Sequence, residues 1–102
     1  MFVVANRIPV AEGRGEEFED RFRERAGLVE DREGFVRLEV LRPVDADRYV
    51  VLTHWESEDD FEAWTDSEAF RTAHSESTPE GLVQGHPDIE KHRVVTSAEP
   101  EH

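Results

Sequence analysis

RYVVLTHWESEDDFEAWTDSEAFRTAHSE, residues 48–76, changes its hydrophobic period partway along, and that change decides the fold. From Arg48 to Glu56 the residues Tyr49, Val50, Val51, Leu52 and Trp55 form a short run rich in β-branched and aromatic side chains, the composition of a strand. From Asp59 to Glu76 the spacing lengthens. Phe61 and Trp64 stand at i, i+3, and Phe70 and His74 at i, i+4, which are the neighbours on one face of a helix. Ser57 with Asp60 three places on is an acidic variant of the capping box and marks the helix start. Asp66 and Ser67 break the helix and cap a second one, so His74 points where Phe70 points.

Upstream, Phe35 to Arg42 is a second strand, joined to the first by the turn Pro43-Val-Asp-Ala-Asp47. In the opening MFVVANRIPV, Phe2, Val4, Asn6 and Ile8 alternate with Val3, Ala5 and Arg7, so a strand there carries apolar residues on both faces. Glu16 to Ala26 follows Gly13 and Gly15 and presents Phe18 and Phe22 as a narrow inward stripe, with Gly27 as the stop. Downstream, Ser75 to Asp88 holds Pro79, Gly81, Gly85 and Pro87 and reads as an exposed loop; Ile89 to about Thr96 reads as a last strand. The order strand, helix, strand, strand, broken helix, strand is a split βαβ pattern. It predicts a ferredoxin-like α+β sandwich with an antiparallel sheet, one domain over residues 1–97 and a frayed tail at 98–102. Helices cover one face of such a sheet. Val3, Val51 and their neighbours are expected on the other, where two sheets would pack about 10 Å apart in a homodimer and close a β-barrel.

Composition narrows the function. Twenty-five acidic against 12 basic residues give a formal charge of -13, which repels nucleic acid and anionic membrane alike. Lys91 is the single lysine, and the other cations are arginines set among carboxylates. That balance suits a salt-rich cytoplasm such as that of a halophilic archaeon, where screening relieves self-repulsion. The absence of cysteine excludes disulfides, thiolate zinc and iron–sulfur sites, leaving His, carboxylate or Tyr as metal ligands. The opening residues have no basic leader and no apolar run nears the ~20 residues of a membrane span, so a cytoplasmic protein is expected.

Asn6 is a polar amide in an apolar row. Its ordinary role would be a bond to nearby backbone, as Trp64 would ordinarily be core and His74 a helix-end histidine. ANRIPVAEGRGEEFEDRF, EGFVRLEVLRP and above all VLTHWESEDDFEAWTDSEAFRTAHSE resemble the antibiotic biosynthesis monooxygenase superfamily, in its haem-degrading branch (the IsdG-like enzymes). The similarity runs from Met1 to about Ser77. It implies a catalytic set of Asn6, Trp64 and His74, with haem as both substrate and cofactor, dioxygen as oxidant and an external electron donor from a separate reductase. His74 would be the axial ligand of the haem iron, Asn6 a donor on the opposite side, and Trp64, with Phe70 nearby, a wall that distorts the ring. The same W-x-S-x-x-x-F-x-x-W framework serves relatives without haem, so two other readings stand beside it. One is a cofactor-independent oxygenase acting on a quinol-like aromatic with His74 as base. The other is a haem-binding dimer without activity.

Other residues draw blander readings. His54 alternates with Leu52 and Val50 and is structural or interfacial; His86 lies in the loop. The acidic runs Glu16 to Asp20 and Glu56 to Asp60 read as solvated faces. Arg21, Arg25 and Arg71 are candidates to offset the haem propionates.

Overall fold

The computed structural model describes residues 1–24, 29–73 and 81–100. Four strands form one antiparallel sheet in the order β2-β3-β1-β4: β1 (Phe2–Ile8), β2 (Phe35–Leu41), β3 (Tyr49–Trp55) and β4 (Asp88–Arg93). Three helices, α1 (Gly15–Glu24), α2 (Glu58–Thr65) and α3 (Glu68–Ala73), complete the ferredoxin-like α+β fold. Each boundary has a local cause. Ser57 caps α2 by accepting the Asp60 amide at 3.2 Å, and its hydroxyl donates to the Asp60 carboxylate at 2.9 Å. Ser67 ends one helix and starts the next: its hydroxyl donates to the Trp64 carbonyl at 2.6 Å and accepts the Phe70 amide at 3.1 Å. Gly34 enters β2 at φ 81°, and a Cβ there would overlap the Asp60 carboxylate, so only glycine closes this turn.

The helix-side face carries two core clusters. Phe2, Val4, Val29, Trp55 and Trp64 make the first. Ile8, Phe18, Tyr49 and Leu82 make the second. Phe18 and Phe22 of α1 meet with ring centroids 5.1 Å apart, the stripe the spacing predicts. Burying side chains of this size contributes about 1.5–3 kcal/mol each, so most of the fold's stability comes from this face.

Three expectations need correction. Val51 pairs across the sheet with Asn6 and with Val40, which puts it on the helix side; Val50 and Leu52 are its neighbours on the outer face, with Val3 and Ala5. The last strand ends at Arg93, not near Thr96, because its partner runs out: Arg93 opposes Phe2, and one further bond joins the Val94 amide to the Met1 carbonyl at 2.9 Å. The described part of the predicted exposed loop is anchored. Leu82 is 1% exposed, Val83 bridges Val10, and the Ala11 amide donates to the Leu82 carbonyl at 2.8 Å. The predicted helix end at Ala26 and Gly27 lies outside the described residues, as do residues 75–80 of the loop.

The outer face differs in character. Val3, Ala5, Val50 and Leu52 run down its centre, half-buried. Around them every described arginine has a carboxylate: Arg7 with Glu90 at 4.0 Å, Arg37 with Glu39 at 3.6 Å, and Arg48 with Asp88 at 3.1 Å. His54 sits among them, its Nε2 3.0 Å from Glu39.

Candidate active site

Asn6 stands where the core divides. On its own strand Val4 belongs to one cluster and Ile8 to the other, and the amide between them joins neither. Its Oδ1 is buried and, among the described residues, is the one buried side-chain oxygen or nitrogen without a hydrogen-bond partner. The bond to nearby backbone that a strand Asn ordinarily makes is absent. Leaving such an atom unpaired costs about 1–3 kcal/mol. Because rotation about Cβ–Cγ exchanges the two ends of the amide, the position can meet a ligand's acceptor with NH2 or its donor with Oδ1.

A cavity of about 350 Å³ opens on the same row of the sheet. Its apolar walls are Phe22, Leu38 and Val40. Leu38 packs against the first cluster while Phe22 and Val40 pack against the second, so the cavity spans the division that Asn6 marks. Val40 opposes Val51, which opposes Asn6, so the amide is on the same face two strands away and is not part of the lining, and neither is Trp64. That volume lies at the lower end of the ~300–1,000 Å³ of small-molecule sites.

Trp64 is 6% exposed, packed in the first cluster and edge-to-face with Phe70 at 5.5 Å. The indole is thus held by contacts within the first cluster, to which Val4 also belongs, and by Phe70 of α3. Phe70 carries the link to α3, which runs to Ala73. His74, expected as an iron ligand, lies outside the described residues, and so does Arg25. His54 is on the outer face, away from the amide, and His86 is exposed.

The polar end of the cavity was not legible as such. Glu19 of α1, expected on a solvated face, is 8% exposed and faces inward. Arg42 grips it with two bonds, Nε to Oε2 at 2.8 Å and Nη2 to Oε1 at 2.5 Å. The Tyr49 hydroxyl donates to the same Oε2. Arg42, then Tyr49, hold the Glu19 carboxyl down to about 2. Burial first and the hydrogen bond to Glu19 second push the Tyr49 hydroxyl up. Of the arginines proposed from sequence, neither Arg21 nor Arg71 lines this cavity; Arg23 and Arg42 do. At ~100° per residue Glu19 lies about 60° beyond the arc between Phe18 and Phe22, at the border of the inward stripe, so the helical period alone did not reveal it.

This arrangement, an antiparallel sheet with an unpartnered buried amide on the face that a helix broken in two also covers, defines a class. Residues 1–76 match the sequence profile of the family Antibiotic biosynthesis monooxygenase, and the chain belongs to that family. A haem-degrading monooxygenase of Halalkalibacterium halodurans is 39% identical over 99 residues, covering 93% of this chain and 84% of that one. A mycobilin-producing haem oxygenase of Mycobacterium tuberculosis is 47% identical over 68 residues, 66% of this chain and 65% of that one. The structure of the haem degrader MhuD from the same organism, with two haems bound in its active site, superposes with a TM-score of 0.84 at 35% identity, covering 97% of this chain and 100% of that chain. Both organisms are bacteria, which gives no support to the archaeal source suggested by the acidic composition.

Proposed function

We propose that this chain is a haem-degrading monooxygenase that opens the porphyrin ring with dioxygen and electrons from an external reductase, releasing the iron. The observation that carries the reading is the buried, unpartnered amide of Asn6 at the break in the core, on the helix-side face of the sheet. A buried polar atom left without a protein partner is one that a bound substrate can satisfy. Bound haem supplies the iron and the ring carbon that is oxidised. The chain supplies the rest. His74 would hold the iron, a role a neutral imidazole fills when its other nitrogen is hydrogen-bonded. Asn6 would offer its unpartnered amide to a polar group of the bound substrate, as donor or acceptor. Trp64 would press on the ring as a wall, and its close contacts with the core and Phe70 support that, because a yielding wall could not distort anything.

The reading extends to assembly and setting. Residues 1–97 act as one domain with a tail at 98–102, and two copies dimerise through the outer sheet face into a β-barrel. The apolar centre of that face and its balanced charges support this. The acidic surface suits a salt-rich cytoplasm, and among the described residues no helix is long and apolar enough to cross a membrane. Adding haem and then ascorbate under air to the purified protein tests the activity. The Soret band is expected to form and then decay; a band that persists under reductant in air removes the enzyme reading. With His74→Ala the axial-ligand spectrum is expected to vanish, and a normal one would remove that assignment.

A further inference from the structure

We propose that Arg42, held in place by Glu19 and Tyr49, receives a carboxylate of the substrate at the mouth of the cavity. The inference rests on the haem reading above, because haem joins an apolar ring to two propionates on one edge. Such a molecule needs apolar walls and a cation at the rim, and in a chain of charge -13 the cation has to be local.

Among the described residues, two cations line this cavity. Arg7, Arg37 and Arg48 lie on the outer face with carboxylate partners. Arg93 is paired with Glu58 at 2.6 Å and Arg14 with Glu17 at 2.8 Å, both away from the cavity. Arg23 and Arg42 stand on the cavity that Phe22, Leu38 and Val40 wall. Arg23 is drawn to Asp20 at 2.8 Å, and its contact with Glu19 is longer, at 3.4 Å. Arg42 differs, because both of its bonds run to one buried carboxylate and leave Nη1 outside that fork. Glu19 is itself fixed by the Tyr49 hydroxyl, and Tyr49 is in the core. A guanidinium held this way loses little freedom on binding a carboxylate, whereas a mobile surface arginine would lose more.

The test compares haem with its dimethyl ester, which keeps the ring and iron but has no carboxylate. Affinities are read from the Soret band for the unaltered protein, Arg42→Gln and Arg93→Gln. Gln at 42 keeps a donor for Glu19, and Arg93→Gln removes the same charge elsewhere. The unaltered protein is expected to bind haem about fivefold more tightly than the diester, the size of one partly exposed charged contact. Arg42→Gln is expected to lose that fivefold for haem and to leave the diester unchanged; Arg93→Gln should alter neither. The proposal is overturned if the unaltered protein does not discriminate, a result that does not depend on whether any variant folds. It is overturned equally if Arg42→Gln weakens haem and diester alike. Uptake of neither compound by the unaltered protein would remove the haem reading itself, and this inference with it.

Discussion

At the scale of single residues, Asn6 poses a conflict between stability and use. An apolar side chain at that position would extend the row Phe2, Val4, Ile8 and close the gap between the clusters, yet an amide stands there with its oxygen unpaired. Asn6→Leu is therefore expected to stabilise the ligand-free protein by about 1 kcal/mol, which in a chain of this size raises the melting temperature by about 4–8 °C. The same variant is expected to abolish haem turnover. Thermal unfolding followed by circular dichroism checks the first part, and Soret decay under reductant the second. A variant that is less stable than the parent would mean that the amide has a structural partner. The residue's type and direction were readable from alternation alone; its isolation was not, since nothing in a strand pattern says whether a nearby carbonyl or hydroxyl will reach it.

At the scale of elements, the joint between α1 and the β2–β3 hairpin depends on the charge of Glu19. Its carboxyl is held at about 2 against an ordinary 4.5, first by the Arg42 bonds and next by Tyr49. A carboxyl lowered on folding stabilises the fold above its unfolded value, and that share is lost as pH falls from about 4.5 toward 2. The unaltered protein is thus expected to lose melting temperature steeply over that window. Glu19→Gln should start lower at neutral pH and decline less, so that the two curves converge near pH 2. Parallel curves would show that the lowered value contributes nothing to the fold. The same joint shows what the sequence could and could not tell. The strands, the hairpin, the Ser57 cap and the break at Ser67 were legible because each rests on a local rule. Val51 was placed on the wrong face because Tyr49 to Leu52 is a continuous apolar run, and a one-residue ambiguity in register reverses every side chain. Leu82 escaped notice between two glycines, since a lone anchor in a loop has no period. Arg42 and Tyr49 come together with Glu19 only through pairing across 23 and 30 residues, which no local pattern reports.

At the scale of the whole molecule, the charge is divided unevenly, and the proposed dimer turns on that division. The outer face balances its arginines against its carboxylates pair by pair, so the excess of -13 lies on the helix side, the edges and the loops. Two copies can therefore bring their sheets together without facing like charges directly, and the repulsion that remains acts over longer distances. Such repulsion is screened by salt: the screening length falls from ~10 Å at 0.1 M to ~3 Å at 1 M, while the apolar contact of Val3, Ala5, Val50 and Leu52 is not weakened. Association should consequently tighten as salt rises, the reverse of an interface held by ion pairs. Light scattering on a size-exclusion column is expected to give twice the chain mass at 1 M sodium chloride and a mixture at low salt. Leu52→Glu, which sets a new carboxylate at the centre of the face, should hold the protein monomeric at either salt. Its haem uptake should survive, because Leu52 opposes Ala5 on the side of the sheet away from Asn6. A dimer that persists in this variant, or one that dissociates as salt is raised, would place the contact on another surface.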